Sequence, residues 1–263
     1  MRHIASRDNP HFKALRKLAS SGRERRKSGM TLLDGVHLAL AWEAAGHPVL
    51  EYLVSERAAT EGEIAAFVGS RASARVTVLA DALFAELSPV DTPTGLLACV
   101  HAIVDSGAPA SDVDTVVLDG VQDPGNVGSI LRTAAAAGFR QAVLSADCAQ
   151  AWSPKTLRAG MGAQFVIRVH EGVALESFLA DFRGTTAATL LDGDKDLYSA
   201  SLFPPVAWVF GHEGEGIRPS VAAATRVHVR IPMPGAIESL NVAAAAALCL
   251  FETVRRRNGN GTV

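Results

Sequence analysis

The sequence lacks the patterns that mark several large classes of protein. Its three cysteines, Cys99, Cys148 and Cys249, are odd in number and far apart, which fits neither a closed disulfide framework nor a metal-binding or redox motif. The most apolar stretch, Leu240–Val254, is rich in alanine and shorter than the ~20 residues of a membrane-spanning helix. The amino-terminal segment has no apolar core of a secretory signal. These absences predict a cytoplasmic chain that binds neither membrane nor metal and keeps its thiols reduced and buried.

A large net charge is also missing, because 25 Lys and Arg stand against 27 Asp and Glu. This balance excludes a uniformly basic nucleic-acid coat. The charges are nevertheless distributed unevenly along the chain, since residues 1–30 carry a net charge of +7 and the rest of the chain is acidic. With 48% hydrophobic residues, the 263-residue chain can bury the core of one large or two small domains.

Strands and helices alternate in two series, which predicts two α/β domains with mostly parallel sheets. We predict a basic extension at residues 1–28, a first domain at 29–105, a linker at 106–113 and a second domain at 114–263. Within the extension, Asp8-Asn9-Pro10 can cap a helix, and residues 20–29 are expected to form a charged loop. A helix at Pro154–Met161 is assigned to the second series.

The first informative motif is Leu118–Arg132, with the sequence LDGVQDPGNVGSILR. An apolar strand ends there in a polar turn, and a helix follows at once. The carboxyl ends of parallel strands are where α/β sheets build their sites, and helix amino termini favour anions. Arg132 is expected two turns into this helix. The alternative interpretation is an ordinary strand-to-helix turn followed by a surface arginine.

The second motif is Phe210–Ile217, FGHEGEGI, which follows another apolar strand. Its glycines allow the backbone to approach a ligand closely, and Glu213 and Glu215 supply carboxylates. The spacing differs from the dinucleotide-binding fingerprint. A glycine-rich hairpin is the alternative, and His212 is interpreted as part of the loop and not as a ligand.

The third motif is Ile231–Asn241, IPMPGAIESLN, which leads into an alanine-rich helix predicted from about Ser239 to Arg256. Either Ser239 or Glu238 could simply cap that helix. Such a cap does not account for Asn241, a poor helix former placed just after it.

In this order the three motifs resemble the SpoU (TrmH) family of SPOUT-fold RNA ribose 2′-O-methyltransferases, over about Thr115–Val254. One position departs from many members, because Ala243 stands where they have serine. The family pattern corresponds to Asn126 and Arg132, then Gly211, Glu213 and Gly216, then Ile231-Pro232-Met233 and Ser239-Leu240-Asn241-Val242.

The first domain is similar to the substrate-binding domain that often precedes the SpoU catalytic domain. The similarity lies in Leu32–Leu38, LLDGVHL, and the helix that continues to Gly46. That domain resembles ribosomal proteins that bind kinked RNA. The family usually has glutamate where this chain has Asp34.

The resemblance implies a trefoil knot near the carboxyl end and S-adenosylmethionine as the methyl donor, held in that knot without a metal. It also implies a homodimer that packs through the Ser239–Arg256 helix. The residues expected to contact the donor are Thr189, Leu190, Leu191, Gly211, Gly216, Ile231, Met233 and Leu240.

By the same resemblance, Arg132 is the catalytic arginine, which we expect to orient a substrate phosphate and the ribose hydroxyl. The residues expected to hold Arg132 and the ribose are Asn126, Glu213, Ser239 and Asn241. The expected substrate is rRNA, because two-domain chains of this type often act there. We expect residues 1–28 to contribute RNA affinity and not chemistry.

Three alternatives remain at this stage. The chain could methylate tRNA, or it could be a non-enzymatic RNA-binding protein that retains the fold. It could also be an α/β enzyme that binds a different nucleotide.

Overall fold

A computed structural model describes residues 2–60, 62–103 and 107–259. The chain divides into two compact units, one of Met1–Val104 with Trp152–Phe165 and the other of Asp105–Ala151 with Val166–Val263. Among the described helices, none is long and apolar enough to cross a membrane.

The described residues form twelve strands and eleven α-helices, which are numbered in chain order. The strands are β1 Arg2–Ile4, β2 Met30–Asp34, β3 Glu51–Ser55, β4 Val76–Leu79, β5 Leu96–His101, β6 Thr115–Asp119, β7 Gln141–Leu144, β8 Arg168–Glu171, β9 Thr185–Thr189, β10 Lys195–Asp196, β11 Val206–Gly211 and β12 Val227–Arg230. The helices are α1 Pro10–Ser20, α2 Gly22–Ser28, α3 Val36–Ala44, α4 Glu56–Thr60, α5 Gly62–Gly69, α6 Asp81–Leu87, α7 Pro124–Ala136, α8 Pro154–Gly160, α9 Leu175–Asp181, α10 Pro219–Ala223 and α11 Val242–Gly259.

The first unit contains a five-stranded sheet in the order β1-β4-β3-β5-β2. The strands β1, β3 and β4 are parallel, whereas β5 is antiparallel to both β2 and β3. Four of the five strands therefore run in the same direction, and the predicted mostly parallel sheet contains one reversed strand, β5. Strands that are buried on both faces are apolar throughout, and this pattern does not reveal their direction.

The amino-terminal residues are part of this unit and not an extension from it. The strand β1 pairs with β4, and Phe12, Leu15 and Leu18 of α1 are buried in the core. The apolar spacing predicted α1 correctly, and Asn9 caps it, since its Oδ1 accepts from the His11 amide at 2.9 Å. Cutting away residues 1–28 would therefore remove core side chains together with the positive charge.

The segment predicted as a charged loop forms the helix α2. Its amino end is capped by Ser21, whose Oγ accepts from the Glu24 amide at 3.3 Å. Its carboxyl end is closed by Gly29 in a left-handed conformation at φ +65°. The serine and glycine interpreted as loop residues are thus the two caps of a short helix.

The helix α8 was expected in the second α/β series, but it belongs to the first compact unit. Thr31 of β2 donates its hydroxyl to the Trp152 carbonyl at 2.7 Å, and Arg158 forms an ion pair with the buried carboxylate of Asp34. A buried carboxylate requires such a partner. The first unit is therefore discontinuous in sequence, unlike the expected division at 29–105 and 114–263.

The expected linker, 106–113, begins outside the described residues, and residues 107–113 contain neither helix nor strand.

The second unit contains a seven-stranded, fully parallel sheet in the order β10-β12-β9-β11-β6-β7-β8. This confirms the predicted parallel α/β arrangement. The helix α11 packs against α7 and β11, and the buried Trp208 donates its indole N–H to Thr253 of α11 at 2.9 Å. The carboxyl ends of β6, β9, β11 and β12 carry the segments singled out in the sequence.

The three cysteines are free thiols, as expected. Two of them, Cys99 and Cys249, are buried, while Cys148 is only partly covered.

Replacing Phe12 by alanine should destabilise the first unit by about 3–5 kcal/mol, because it leaves a cavity among side chains that cannot collapse fully. Urea unfolding measures this loss. The matched control is Lys13→Ala on the exposed side of the same helix, which should change stability by less than about 0.5 kcal/mol. Equal effects of the two substitutions would show that α1 is not part of the cooperative core.

Candidate functional site

A cavity of about 420 Å³ lies at the carboxyl ends of β9, β11 and β12 in the second unit. Its walls come from residues 189–191, 211–217, 229–233 and 238–245. All eight residues predicted from the sequence to contact the methyl donor line this cavity. They are Thr189, Leu190, Leu191, Gly211, Gly216, Ile231, Met233 and Leu240.

The loop Gly211–Ile217 forms one wall, and its shape depends on glycine. A Cβ on Gly211 would lie 2.3 Å from the Gly216 carbonyl carbon and from the Ile217 nitrogen, so no other residue fits. His212 and Gly216 exchange two backbone hydrogen bonds of 2.9 Å. The His212 Nδ1 accepts from the amides of Gly214 and Glu215 at 3.0 and 3.1 Å. His212 therefore shapes the loop, in agreement with its interpretation as a loop residue.

Glu213 projects from this loop to the amino end of α7. Its Oε1 accepts from the Asp123 amide at 3.2 Å and from Asn126 Nδ2 at 2.9 Å, and its Oε2 accepts from the Gln122 amide at 3.2 Å. A carboxylate is favourable there because the amides of the turn before α7 have no acceptor in the helix, and the amino end of a helix carries a partial positive charge. Partial burial by itself would raise the pKa of Glu213. The hydrogen bonds from Asn126 and from backbone amides outweigh burial and lower the pKa.

Asn126 extends this contact to the third motif. Because its Nδ2 donates to Glu213, its Oδ1 is oriented to accept from Asn241 Nδ2, at 3.0 Å. The Asn241 Oδ1 in turn accepts from the amides of Ala243 and Ala244, at 2.9 and 3.2 Å. A continuous polar chain thus joins the three motifs.

These bonds make Asn241 the cap of α11, which begins at Val242 and not at Ser239. The proposed caps, Ser239 and Glu238, lie in the preceding loop and line the cavity. The correction explains the asparagine that the sequence left unexplained, since asparagine is among the best residues at this position and poor within a helix.

Arg132 stands apart from the other four residues assigned to catalysis. Its side chain is exposed on α7 and forms no hydrogen bond or ion pair with any described residue. The polar chain therefore holds the amino end of the helix that carries Arg132, and not its guanidinium as expected. An unpaired guanidinium is available to an anionic substrate group.

Sequence reasoning missed the pair formed by Asp119 and Arg218. Asp119, the last residue of β6, is buried, and its two oxygens accept from the Arg218 amide at 2.8 Å and from Arg218 Nε at 2.7 Å. The hydrogen bond to Asp119 raises the pKa of Arg218. This pair anchors the residue that directly follows the glycine loop. The two residues are separated by most of the domain in sequence, and no local signal links them.

The cavity combines apolar and acidic groups. Leu190, Ile217 and Met233 offer apolar surface, while Glu213 and Glu238 place carboxylates at its edge. Such a lining suits a ligand with a flat apolar part and a positive charge. Within the described part of the chain, no group of three or more His, Cys, Asp or Glu residues is placed to hold a metal ion.

Comparison with known families gives two matches. Residues 114–251 match the SpoU rRNA Methylase family, and residues 9–98 match the MRM3-like substrate binding domain.

Similar proteins cover nearly the whole chain. It is 30% identical over 256 residues to the 23S rRNA guanosine 2′-O-methyltransferase RlmP of Bacillus subtilis, a match spanning 95% of this chain and 98% of that one. Its structure resembles the SpoU methyltransferase AviRb from Streptomyces viridochromogenes in complex with AdoMet, with a TM-score of 0.84, 26% identity, and 95% and 98% of the two chains covered. It also resembles an AdoMet-bound rRNA methyltransferase from Sinorhizobium meliloti, with a TM-score of 0.80, 27% identity, and coverage of 97% and 98%.

The lowered pKa of Glu213 predicts a pH-dependent contribution to stability. Because the folded state favours the ionised carboxylate, the contribution is complete above the ordinary value of 4.5 and is lost as the pH falls through the lower folded value. Glu213→Gln should therefore be less stable than the wild type at pH 7, and the difference should shrink towards pH 3.5. Denaturant unfolding at several pH values measures it.

Glu215→Gln is the matched control, since Glu215 is exposed in the same loop and its carboxylate has no partner among the described residues. It should show no such dependence. A Glu213→Gln deficit that is constant with pH would contradict the role of the ionised carboxylate.

Proposed function

The chain belongs to the SpoU rRNA Methylase family, and on that premise we propose that it transfers a methyl group from S-adenosylmethionine to a ribose 2′-hydroxyl of rRNA. The observation that supports this most directly is the polar chain of Glu213, Asn126 and Asn241. It unites the three family motifs beside one cavity. The near-complete match to an rRNA 2′-O-methyltransferase favours rRNA over tRNA and over a protein that only binds RNA.

The methyl donor is S-adenosylmethionine, and the residues around the cavity fit it. The volume of about 420 Å³ lies within the range of small-molecule sites. We infer that backbone groups at Gly211, Ile231 and Leu240 hold the donor, and that the nearby carboxylates favour its positive charge. When bound, the donor supplies a methyl group that its sulfonium has already activated.

The protein must then place the hydroxyl and assist the loss of its proton. Arg132 cannot act as a free base, because a guanidinium remains protonated in proteins. We assign it the role of holding a substrate phosphate through its forked donors, which orients the adjacent ribose. Positioning of this kind can supply up to about 7–11 kcal/mol of the barrier. Asn126, Glu213 and Asn241 contribute by holding α7, and we assign contact with the ribose to Ser239, which lines the cavity.

Two further family properties are part of this proposal. The first is a trefoil knot in the second unit, in keeping with its close backbone passages: a Cβ on Gly193 would lie 2.6 Å from the Val229 carbonyl carbon. The second is a homodimer through α11. Ala244, Leu248 and Phe251 form an exposed apolar stripe on that helix, and both large side chains are more than 40% exposed. A cytoplasmic location follows from the substrate.

The activity predicts that the protein, given S-adenosylmethionine and rRNA, forms 2′-O-methyl nucleotides that can be mapped on the product RNA. Arg132→Ala should lower the single-turnover rate by about two orders of magnitude or more, the usual effect of losing one preorganised polar group. Arg132→Lys should not restore the rate, because an ammonium lacks the forked contact. Donor affinity should stay unchanged in both variants.

Arg168→Ala is the control, because Arg168 is another exposed arginine of the second unit and lies outside the three motifs. A Lys variant with a near-normal rate would leave simple charge as the explanation for Arg132. RNA binding without a response to S-adenosylmethionine or its demethylated product, followed by thermal shift, would favour the binding-protein alternative.

A further inference from the structure

The first unit contains a larger cavity whose lining includes none of the motif residues. It has a volume of about 1000 Å³ and lies between α1, α2 and the starts of β3 and β4. A smaller cavity of about 460 Å³ shares His11, Glu51 and Arg75 with it and adds Arg2 and Thr77. We call the two together the amino-terminal groove. Of the functional assignments above, only the RNA affinity expected of residues 1–28 involves this groove.

A buried carboxylate lies at the back of this groove. Glu51 is only 5% exposed, although it lines both cavities. Its Oε2 lies 2.7 Å from His11 Nε2, and its Oε1 accepts from the Thr77 hydroxyl at 2.5 Å. An ionised carboxylate has about four acceptor positions, and these two contacts leave about two of them open. Burying such a group is costly unless its partners are supplied, so Glu51 is suited to accept hydrogen bonds from a ligand.

Unpaired cations surround the groove. Lys17, Arg75 and Arg2 are exposed and form no hydrogen bond or ion pair through their side chains with any described residue. Two nearby cations differ in this respect, since Lys13 pairs with Asp8 and Arg7 pairs with Glu86. Unpaired lysine and arginine side chains beside a groove attract a phosphate backbone.

The floor of the groove is apolar and uncharged. It contains Leu15, Leu18 and the partly buried Met30 and Leu50. Burial, assisted by the charge of Glu51, raises the pKa of Cys99 to about 12, so this thiol stays protonated. The imidazole of His11 lies beside this apolar floor and is only partly buried, and an imidazole is one of the rings on which proteins stack unpaired bases.

We propose that the amino-terminal groove binds one unpaired nucleotide of the RNA substrate whose base carries an amino group. That amino group donates to Glu51, while Lys17 and Arg75 contact the adjoining phosphates. Glutamate accepts from the cytosine amino group in the same way in other nucleic-acid complexes. Uracil is disfavoured because it presents carbonyl oxygens where the amino group would be. The inference rests on the proposed function, since it names the part of the RNA that this unit recognises.

The test compares fluorescence anisotropy of the full chain with ten-nucleotide oligo(C) and oligo(U), in the absence of methyl donor. The wild type should bind oligo(C) at least about fivefold more tightly, the lower range for one good base contact. Glu51→Gln should remove or reverse this preference, because the carboxamide N–H can donate to uracil O4. Equal affinity of the wild type for the two oligonucleotides would overturn the proposal.

Substitution of an exposed cation provides a second test, which leaves the buried Glu51 unchanged. Lys17→Ala should weaken binding to both oligonucleotides alike and reduce the salt dependence by about one phosphate contact. Lys27→Ala is the matched control, because Lys27 is an exposed lysine on α2 outside the groove. Identical salt slopes for the wild type and Lys17→Ala would also overturn the proposal.

Methyl transfer to rRNA is measured separately on the same proteins. Normal methyl transfer without a base preference would contradict nucleotide binding in the groove and leave the proposed enzymatic function standing. A base preference that depends on Glu51, without any methyl transfer, would support nucleotide binding in the groove and contradict the proposed enzymatic function.

Discussion

The carboxylate of Glu213 holds the second unit's site together. It binds the backbone before α7 and the side chain of Asn126, which in turn orients Asn241 at the start of α11. Each bond satisfies a group that would otherwise be left without a partner, at a turn or at a helix end. The three segments come from widely separated parts of the chain, so this one network determines where the cavity forms. It explains why an acidic side chain is required in a glycine-rich loop.

Two kinds of constraint therefore shape the same loop. Gly211 permits a backbone approach that any side chain would block, and Gly216 adopts a left-handed conformation at φ +74°. Glu213 and the Asp119–Arg218 pair fix the position of the loop. Backbone freedom by itself would allow many conformations. The charged contacts select one of them, because a buried carboxylate such as Asp119 is stable only when its partner is in place. These contacts thus hold the loop that forms one wall of the cavity.

The two units are suited to different tasks. The second provides a parallel sheet whose strand ends converge on the cavity, and its exposed Arg132 is open to an anion. The first combines a mixed sheet with a basic groove and one buried carboxylate, Glu51. A groove that reads unpaired bases would add selectivity to a reaction that contacts only ribose and phosphate. Chemistry and recognition would then rest on separate parts of the chain.

The sequence by itself determined the α/β class, most strands and helices, and the three motifs, because local apolar runs and turn residues carry that information. Through the family resemblance it also predicted eight residues to contact the methyl donor, and all eight line one cavity. It did not determine strand direction in the first sheet, since buried strands look alike in either direction.

Only the tertiary structure decided contacts between residues far apart in the chain. It showed that Asn241 caps α11 and bonds to Asn126, that Arg218 pairs with Asp119, and that α8 packs with the first unit. The charge of residues 1–28 suggested a separate extension, yet Phe12 and its neighbours are buried in the core. Each of these contacts depends on which partner folding brings within hydrogen-bonding or packing distance, and local sequence does not encode that distance.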